Sequence, residues 1–233
     1  MTISLAWSCS EGTGLITDSM WNISDASGRF VPRPGVRTFH KLPAAGAAAV
    51  ISGNLTRPLS DVDNLCAAIT ATSINDAAAE LFSIIERDER ELQARWPVYD
   101  ALGLDNDGRA PEVLVASSSG IVMINPRRAA FVQSGEQQIF AIGAWCAYFL
   151  EPLSLLQRPV PATLDGCLKR AGTLAESYVR AIYAESSLMD LVLEGRTPTC
   201  GFPLHAITFH RSGEITEHEI EEREPSKTVM VAM

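Results

Sequence analysis

Thr2 is the residue of this chain with the clearest potential for covalent chemistry. The sequence begins Met1-Thr2-Ile3, and removal of Met1 would leave Thr2 with a hydroxyl nucleophile and a free α-amine. A threonine hydroxyl is a weak nucleophile until an adjacent base activates it. An α-amine has a pKa of about 7.7 to 8.0, so a useful neutral fraction exists near physiological pH. The predicted chemistry is nucleophilic attack by an N-terminal threonine whose own amine is the base.

A Met-Thr start alone carries little weight, because many proteins without N-terminal catalysis begin in this way. The other reactive groups are weaker candidates. The four histidines have no metal-ligand spacing, and Asp105-Asn106-Asp107-Gly108 does not continue into the ligand series of a calcium loop. The Ser118-Ser119-Gly120 turn lacks a nucleophile-elbow pattern. We therefore expect no metal site and no cofactor.

The composition is that of an ordinary globular domain. The chain has 233 residues, 46% hydrophobic and 20% charged, and no compositional shift divides it, so a single domain over residues 1–233 is expected. A net charge of −9 without a basic patch argues against nucleic-acid binding. The five scattered cysteines are typical of reduced thiols. Neither a membrane span nor a signal-peptide pattern is visible, so we expect a cytoplasmic protein without a membrane partner.

Two hairpin patterns open the chain. Residues 2–8 and 15–18 flank a turn at 11–14, and residues 36–42 and 47–52 flank a turn at 43–46. Between the hairpins, residues 19–34 are polar and contain several glycines and prolines, which predicts a loop.

The rest of the chain alternates between helical and strand patterns. Apolar residues recur at helical spacing from about Pro58 to Ile69 and from Asp76 to Trp96. Further segments are predicted as strands at 112–116, 121–124 and 137–142, helices at 144–157 and 163–184, and strands at 204–209 and 214–220. The last strand is heavily charged and is expected at a solvent-facing edge. This order predicts an α+β fold, a four-layer αββα sandwich of two antiparallel sheets flanked by helices.

Five short segments carry a family resemblance. They are Thr2, Thr17-Asp18-Ser19, Thr38-Phe39-His40-Lys41, Ser52-Gly53-Asn54-Leu55 and Ser187-Leu188-Met189-Asp190. In this order the chain resembles proteasome β-subunits, and most closely the bacterial relatives known as Anbu proteins and β-proteasome homologues. Each motif is weak alone, but five in order are specific, and the similarity covers nearly the whole chain. The resemblance implies an N-terminal nucleophile hydrolase fold and a threonine-type endopeptidase.

The resemblance also implies a role for each matched residue. Thr2 matches the nucleophile, and Asp18 matches the first catalytic carboxylate, which would hold the ammonium in place. Lys41 matches a lysine that would disfavour the protonated amine and polarise the hydroxyl. Arg37 and Arg33 are rivals for the lysine role, because the segment from Asp18 to Lys41 is longer than usual for the family.

Gly53 and Asp190 complete the implied catalytic set. Gly53 matches the glycine whose backbone N–H faces the oxyanion, although a glycine that only turns a strand into a helix fits the same position. Asp190 resembles the second carboxylate, with a simple helix-end aspartate as the alternative. Met20, Ile51 and Leu55 flank the predicted site and suggest an apolar substrate pocket.

Two positions depart from the family pattern. A serine that often follows the glycine of the strand-helix step is Ala144 here, and a serine or threonine beyond the second carboxylate is Leu193. Both would have formed hydrogen bonds around the α-amine. Ser187 or a water molecule could replace them.

The expected function is hydrolysis of peptide bonds in peptides or unfolded proteins. The resemblance implies confinement inside a homo-oligomeric ring or double ring of about six or seven subunits per ring, with an open helical arrangement as the alternative. Two other functions stay open. One is a catalytically silent ring that serves as a scaffold or binding shell, for example because Met1 is retained, and the other is a small-molecule amidase. The sequence names no ATPase partner.

Overall fold

The computed structural model describes residues 3–19, 21–24, 30–33, 35–52, 59–95, 111–125, 128–142, 160–190 and 201–221. The strands in these ranges are β1 (Ser4–Cys9), β2 (Gly12–Thr17), β3 (Trp21–Ser24), β4 (Phe30–Arg33), β5 (Phe39–Leu42), β6 (Ala47–Ser52), β7 (Glu112–Ser117), β8 (Gly120–Asn125), β9 (Arg128–Gln133), β10 (Gln138–Ile142), β11 (Leu204–His210) and β12 (Ile215–Ile220). The α-helices are α1 (Leu59–Ala68), α2 (Ile74–Arg95) and α3 (Leu164–Asp190), and a short 3-10 helix (Pro43–Ala45) joins β5 to β6.

The strands form two five-stranded sheets and a separate hairpin. The first sheet has the order β10-β1-β2-β11-β12, and the second has the order β5-β6-β7-β8-β9. Neighbouring strands are antiparallel in both sheets. The hairpin consists of β3 and β4. The fold is therefore α+β with two antiparallel sheets.

Alternating side chains bury both faces of each five-stranded sheet. On β1, Leu5 and Trp7 pack in a cluster with α3, whereas Ala6 packs in a cluster between the two sheets. On β6, Ile51 lies in a cluster with α1 and α2, and Val50 faces the first sheet. This period-two pattern follows from the pleat of a strand, which points successive side chains to opposite faces.

The opening hairpin depends on a glycine. Gly14 pairs across the ladder with Trp7, and a Cβ atom added to Gly14 would lie 2.1 Å from the indole ring. Trp7 is fully buried. The bulk of its ring therefore occupies the space that any side chain at position 14 would need.

Most predicted elements are confirmed where the structure describes them. The two hairpins at 4–17 and 39–52, the first two helices and the strands at 112–117, 120–125, 138–142 and 204–210 lie within a few residues of their expected bounds. The charged strand β12 lies at the edge of its sheet, as predicted. Among the described residues, no helix is long and apolar enough to cross a lipid bilayer.

Three expectations need correction. Residues 19–34 are not one loop, because β3 and β4 pair there with Asn22 opposite Pro32. Proline is tolerated since both strands of an isolated hairpin are edges. The strand β9 was not predicted, and α3 continues six residues past Ala184 to Asp190. The helix expected at 144–157 lies outside the described residues.

Candidate active site

Three strand ends meet at one end of the first sheet. In the ladder, Ser4 at the start of β1 pairs with Thr17 at the end of β2, and Thr17 also pairs with His205 near the start of β11. The backbone N–H of Asp18 donates to the carbonyl of Ile3 at 3.1 Å. Thr2 lies outside the described residues. Ile3, which directly follows Thr2 in the sequence, lies at this end of the sheet.

Asp18 connects two chain segments through its carboxylate. Its Oδ1 accepts the backbone N–H of Ile3 at 3.0 Å, and its Oδ2 accepts the backbone N–H of Gly201 at 3.2 Å. The residue is fully buried. A buried carboxylate is costly unless hydrogen bonds compensate its lost hydration. The two N–H groups supply that compensation and fix the start of β1 against the segment that leads into β11.

A chain of buried hydroxyl groups lies beside Asp18. Oγ of Ser4 donates to Oγ1 of Thr17 at 2.9 Å, the Oγ1 atoms of Thr17 and Thr38 are 2.8 Å apart, and Oγ1 of Thr38 donates to the carbonyl of Asp18 at 2.5 Å. Each hydroxyl has one proton. If Thr38 uses its proton on that carbonyl, Thr17 donates to Thr38 and Ser4 donates to Thr17, so the chain of donors runs in one direction.

Thr38, just before β5, thus contacts the backbone of Asp18. Lys41 follows three residues later, about 10 Å further along an extended chain. Its Nζ lies 2.5 Å from Oε1 of Glu217 on β12. The side chain of Lys41 is 54% exposed.

Glu217 also contacts Arg37, so two basic residues near the start of the second sheet meet the edge strand of the first. Nη1 of Arg37 lies 3.5 Å from Oε2 of Glu217, and its guanidinium stacks over the ring of Phe39 at 4.9 Å. Hydrogen bonding and attraction from Lys41, followed by the charge of Arg37, lower the pKa of the Glu217 carboxyl. This rim of exposed ion pairs joins the two sheets.

His40 belongs to the helix-facing side of β5. Its Nδ1 lies 2.8 Å from Oδ1 of Asp63 in α1, and its side chain is fully buried. Burial lowers the pKa of His40, although Asp63 acts in the opposite direction. The pair therefore joins β5 to α1. No group of three His, Cys, Asp or Glu side chains that could hold a metal ion is found within the described ranges.

The other predicted site residues are only partly described. Ile51 is 3% exposed and packs in the core between the second sheet and its helices, so the described structure gives it a packing position rather than a pocket surface. Asp190 is the last residue of α3, but its side chain is not described. The remaining predicted positions lie outside the described residues, namely Thr2, Met20, Gly53, Leu55, Ala144 and Leu193.

Sequence reasoning did not single out Ser4, Thr38 and Gly201 as neighbours of Asp18. Ser4 and Thr17 pair directly in the β1–β2 hairpin, so the register of the hairpin predicts that their side chains lie on the same face. For Thr38 the signal was a hydroxyl residue at the start of a buried strand. Gly201 contributes only its backbone N–H, for which the sequence holds no signal.

Solved structures share this arrangement of sheets and helices. An Anbu protein (ancestral beta-subunit) from Yersinia bercovieri is 18% identical, with 94% of this chain and 87% of that chain covered and a TM-score of 0.56. An Anbu protein from Hyphomicrobium sp. strain MC1 is 13% identical, with 95% and 88% covered and a TM-score of 0.59. The chain has the fold of the Anbu proteins.

A third Anbu structure is described as a helical assembly of the Anbu complex from Pseudomonas aeruginosa. It is 16% identical to this chain, and the alignment covers 95% of this chain and 88% of that chain. The TM-score is 0.57. At these identities the similarity shows the fold, and it agrees with the Anbu resemblance of the five sequence segments. Comparison with protein-family models and with curated proteins gives no match.

Proposed function

We propose that this chain is an N-terminal threonine hydrolase of the proteasome type, which cleaves peptide bonds with Thr2 after removal of Met1. The observation that carries the proposal is the buried carboxylate of Asp18, which accepts the N–H of Ile3, the residue next to Thr2. A catalytic N-terminus must be held in place, because misplacement by a single ångström is costly to the reaction. The Anbu-like fold supports the same assignment.

The proposed reaction uses both functional groups of Thr2. Its neutral α-amine takes the hydroxyl proton as Oγ1 attacks the substrate carbonyl carbon. The resulting oxyanion is assigned to the backbone N–H of Gly53. When the C–N bond breaks, the α-ammonium returns the proton to the leaving amine, and an ester on Thr2 remains. Water, deprotonated by the same amine, hydrolyses this ester and restores the enzyme. Asp190 keeps its proposed role of orienting the threonine.

Lys41 is the member of the proposed set that the described contacts support least. To act on Thr2, its ammonium would have to leave Glu217, with which it forms a close ion pair. Thr38 donates to the backbone carbonyl of Asp18, close to the start of β5. We therefore assign the base function to the α-amine and place Lys41 in the rim between the sheets, while Thr38 supports the backbone of Asp18.

Lys41→Ala and Glu217→Ala form a matched pair that tests this assignment. The two side chains are about half exposed, and such ion pairs contribute below about 1 kcal/mol to stability. We expect both variants to keep the rate of Thr2 labelling by a threonine-directed electrophile within about threefold of the unsubstituted protein. Loss of labelling in Lys41→Ala alone would return the lysine role to Lys41.

A catalytically silent ring is the second candidate function. The observation that favours it is the same ion pair, because it engages the ammonium of Lys41 with Glu217 and so weakens the support for Lys41 as an activating group of Thr2. A small-molecule amidase would use the chemistry of the first proposal in an open site.

Self-assembly is part of the proposal. The fold is proposed to be the full four-layer αββα sandwich, and its copies to close into a ring or double ring around the Thr2 sites, or into an open helical assembly. Phe131 on the edge strand β9 and Ile215 on the edge strand β12 are 50% and 52% exposed, and contacts between copies would cover such side chains. Peptides or unfolded proteins would be the substrates.

Light scattering coupled to size exclusion tests the assembly. We expect a mass of many subunits that persists on dilution. A monomer or a simple dimer at all concentrations would contradict the enclosed chamber and leave Thr2 to act on small substrates.

Hydrolysis of a fluorogenic peptide library, combined with the intact mass of the purified chain, tests the function. We expect a mass without Met1 and cleavage that stops when Thr2 is substituted. Retention of Met1 in every molecule, or cleavage that survives the substitution, would overturn the proposal.

A further inference from the structure

Two cysteine thiols from distant parts of the sequence meet at the other end of the opening hairpin. Cys9 is the last residue of β1, and Cys167 lies in the first turn of α3. Both are free thiols that are fully buried in the cluster between the first sheet and α3. Each thiol is close enough to the other to shift its pKa. Because β1 rises by about 3.4 Å per residue, the pair lies some distance from Asp18 and is separate from the candidate active site.

Contacts on either side of the thiols hold the two elements together. Oγ of Ser10 donates to the carbonyl of Ala162 at 2.6 Å. The N–H of Leu164, the first residue of α3, donates to Oε2 of Glu11 at 2.9 Å. Glu11 thus caps the helix from the hairpin turn, which is a favourable place for a carboxylate. The hairpin and the helix are fixed, so the thiols stay together.

The surroundings distinguish the two sulfur atoms. The interaction with the Cys167 side chain, together with backbone hydrogen bonds at Glu11 and Gly12, lowers the pKa of Cys9 to about 6 although burial opposes this. The same contact and burial raise the pKa of Cys167, whose Sγ also lies 3.2 Å from the carbonyl of Pro161. Since the thiolate is the reactive form of cysteine, Cys9 is the nucleophile of the pair.

We propose that Cys9 and Cys167 are a peroxide-sensitive pair that closes to a disulfide between the opening hairpin and α3. The Cys9 thiolate attacks one oxygen of a hydroperoxide, the O–O bond breaks, and the other oxygen leaves and takes up a proton. Cys9 is then a sulfenic acid. Cys167 loses its proton and attacks the Cys9 sulfur, the S–O bond breaks, and hydroxide leaves as water with that proton. Two thiols and one peroxide thus give a disulfide and two molecules of water, or of water and alcohol.

The disulfide would join residues that are far apart in the sequence. A cross-link of this kind stabilises a protein mainly by restricting its unfolded chain, and the effect increases with the length of the closed loop. The oxidised protein should therefore unfold at a higher temperature than the reduced protein. Cys66 is the matched control, because it is also buried and burial raises its pKa to about 12.

Peptide mapping of the full chain tests the proposal. The folded protein is exposed to hydrogen peroxide at a dose that oxidises added glutathione, then denatured, alkylated and cleaved before aspartate residues. This cleavage places each of the five cysteines on its own peptide, with Cys9 on the N-terminal peptide that ends at residue 17 and Cys167 on residues 165–189. We expect these two peptides to be joined and to separate on treatment with dithiothreitol, while the Cys66 peptide is alkylated.

Variants make the outcome specific. In Cys167→Ser, Cys9 should stop at the sulfenic acid and react with dimedone, and the increase in unfolding temperature should disappear. In Cys66→Ser, peroxide should still join the Cys9 and Cys167 peptides and should still raise the unfolding temperature. Alkylation of both Cys9 and Cys167 after peroxide treatment, or a link from Cys9 to another cysteine, would overturn the proposal.

Discussion

Thr2→Ala should abolish covalent labelling and peptide hydrolysis while the fold stays intact. The substitution removes the only hydroxyl that the proposed mechanism uses as a nucleophile, and loss of such a group costs about 10³-fold or more in rate. Thr2 precedes the first strand, so its side chain is not needed for the β1–β2 ladder. The measurement is the rate of labelling by a threonine-directed electrophile, with thermal unfolding of the same sample.

Thr2→Ser is the matched control for this prediction. Serine keeps the hydroxyl and the α-amine, so it should retain part of the labelling that alanine loses. A Thr2→Ala protein that hydrolyses peptides as fast as the unsubstituted chain would exclude the threonine mechanism. Equal inactivity of all three proteins would instead favour the silent ring.

Asp18→Ala should cost both stability and labelling. The carboxylate accepts two buried backbone N–H groups, from Ile3 and Gly201, and alanine would leave both without this acceptor. Each unsatisfied buried group costs about 1–3 kcal/mol, so the loss for the two groups should lower the free energy of unfolding by about 2–6 kcal/mol. Because Ile3 would lose its anchor, Thr2 should also react more slowly. Urea denaturation measures the first effect, and electrophile labelling measures the second.

Asp18→Asn distinguishes the contribution of the accepted hydrogen bonds from that of the side-chain shape. Asparagine has nearly the same shape but only one acceptor oxygen, so it should be intermediate in stability. Asp165→Ala is an exposed control, since Asp165 forms a surface ion pair with Lys169 at 73% exposure and should cost less than about 1 kcal/mol. If Asp18→Ala were as stable as Asp165→Ala, the anchoring role of Asp18 would be wrong.

The two predictions separate chemistry from positioning. Thr2→Ala is expected to lose reactivity without losing stability, whereas Asp18→Ala is expected to lose both. The variant Thr38→Val interrupts the hydroxyl chain. It resembles Asp18→Ala, because it removes the donor to the carbonyl of Asp18.

The sequence predicted the strands of the two large sheets because their apolar residues are dense and their turns are marked by glycine or proline. The sequence-based prediction was wrong for β3 and β4, because Pro32 and the neighbouring glycine and proline residues predicted a loop. A two-stranded hairpin tolerates proline on its edges, and no local rule distinguishes this case from a loop.

The site was predictable in its chemistry and less so in its geometry. A hydroxyl and an amine on Thr2 can be recognised from the sequence alone, and the resemblance supplied Asp18. The groups that contact Asp18 depend on how the start of β5 and the segment before β11 are placed against the first sheet, and the sequence pattern does not encode that placement. The pairing of Cys9 with Cys167 likewise depends on how α3 packs on the hairpin, which spacing does not encode.

The most direct test of the central claim is to map the adduct of an electrophile that reacts with a hydroxyl and an adjacent free amine. After labelling, cleavage before aspartate releases the N-terminal peptide that ends at Thr17, and its mass shows whether Met1 is absent and where the adduct lies. The account predicts a single adduct on an N-terminal Thr2. A folded protein that retains Met1, or that lacks Met1 and carries no adduct on Thr2, would contradict it.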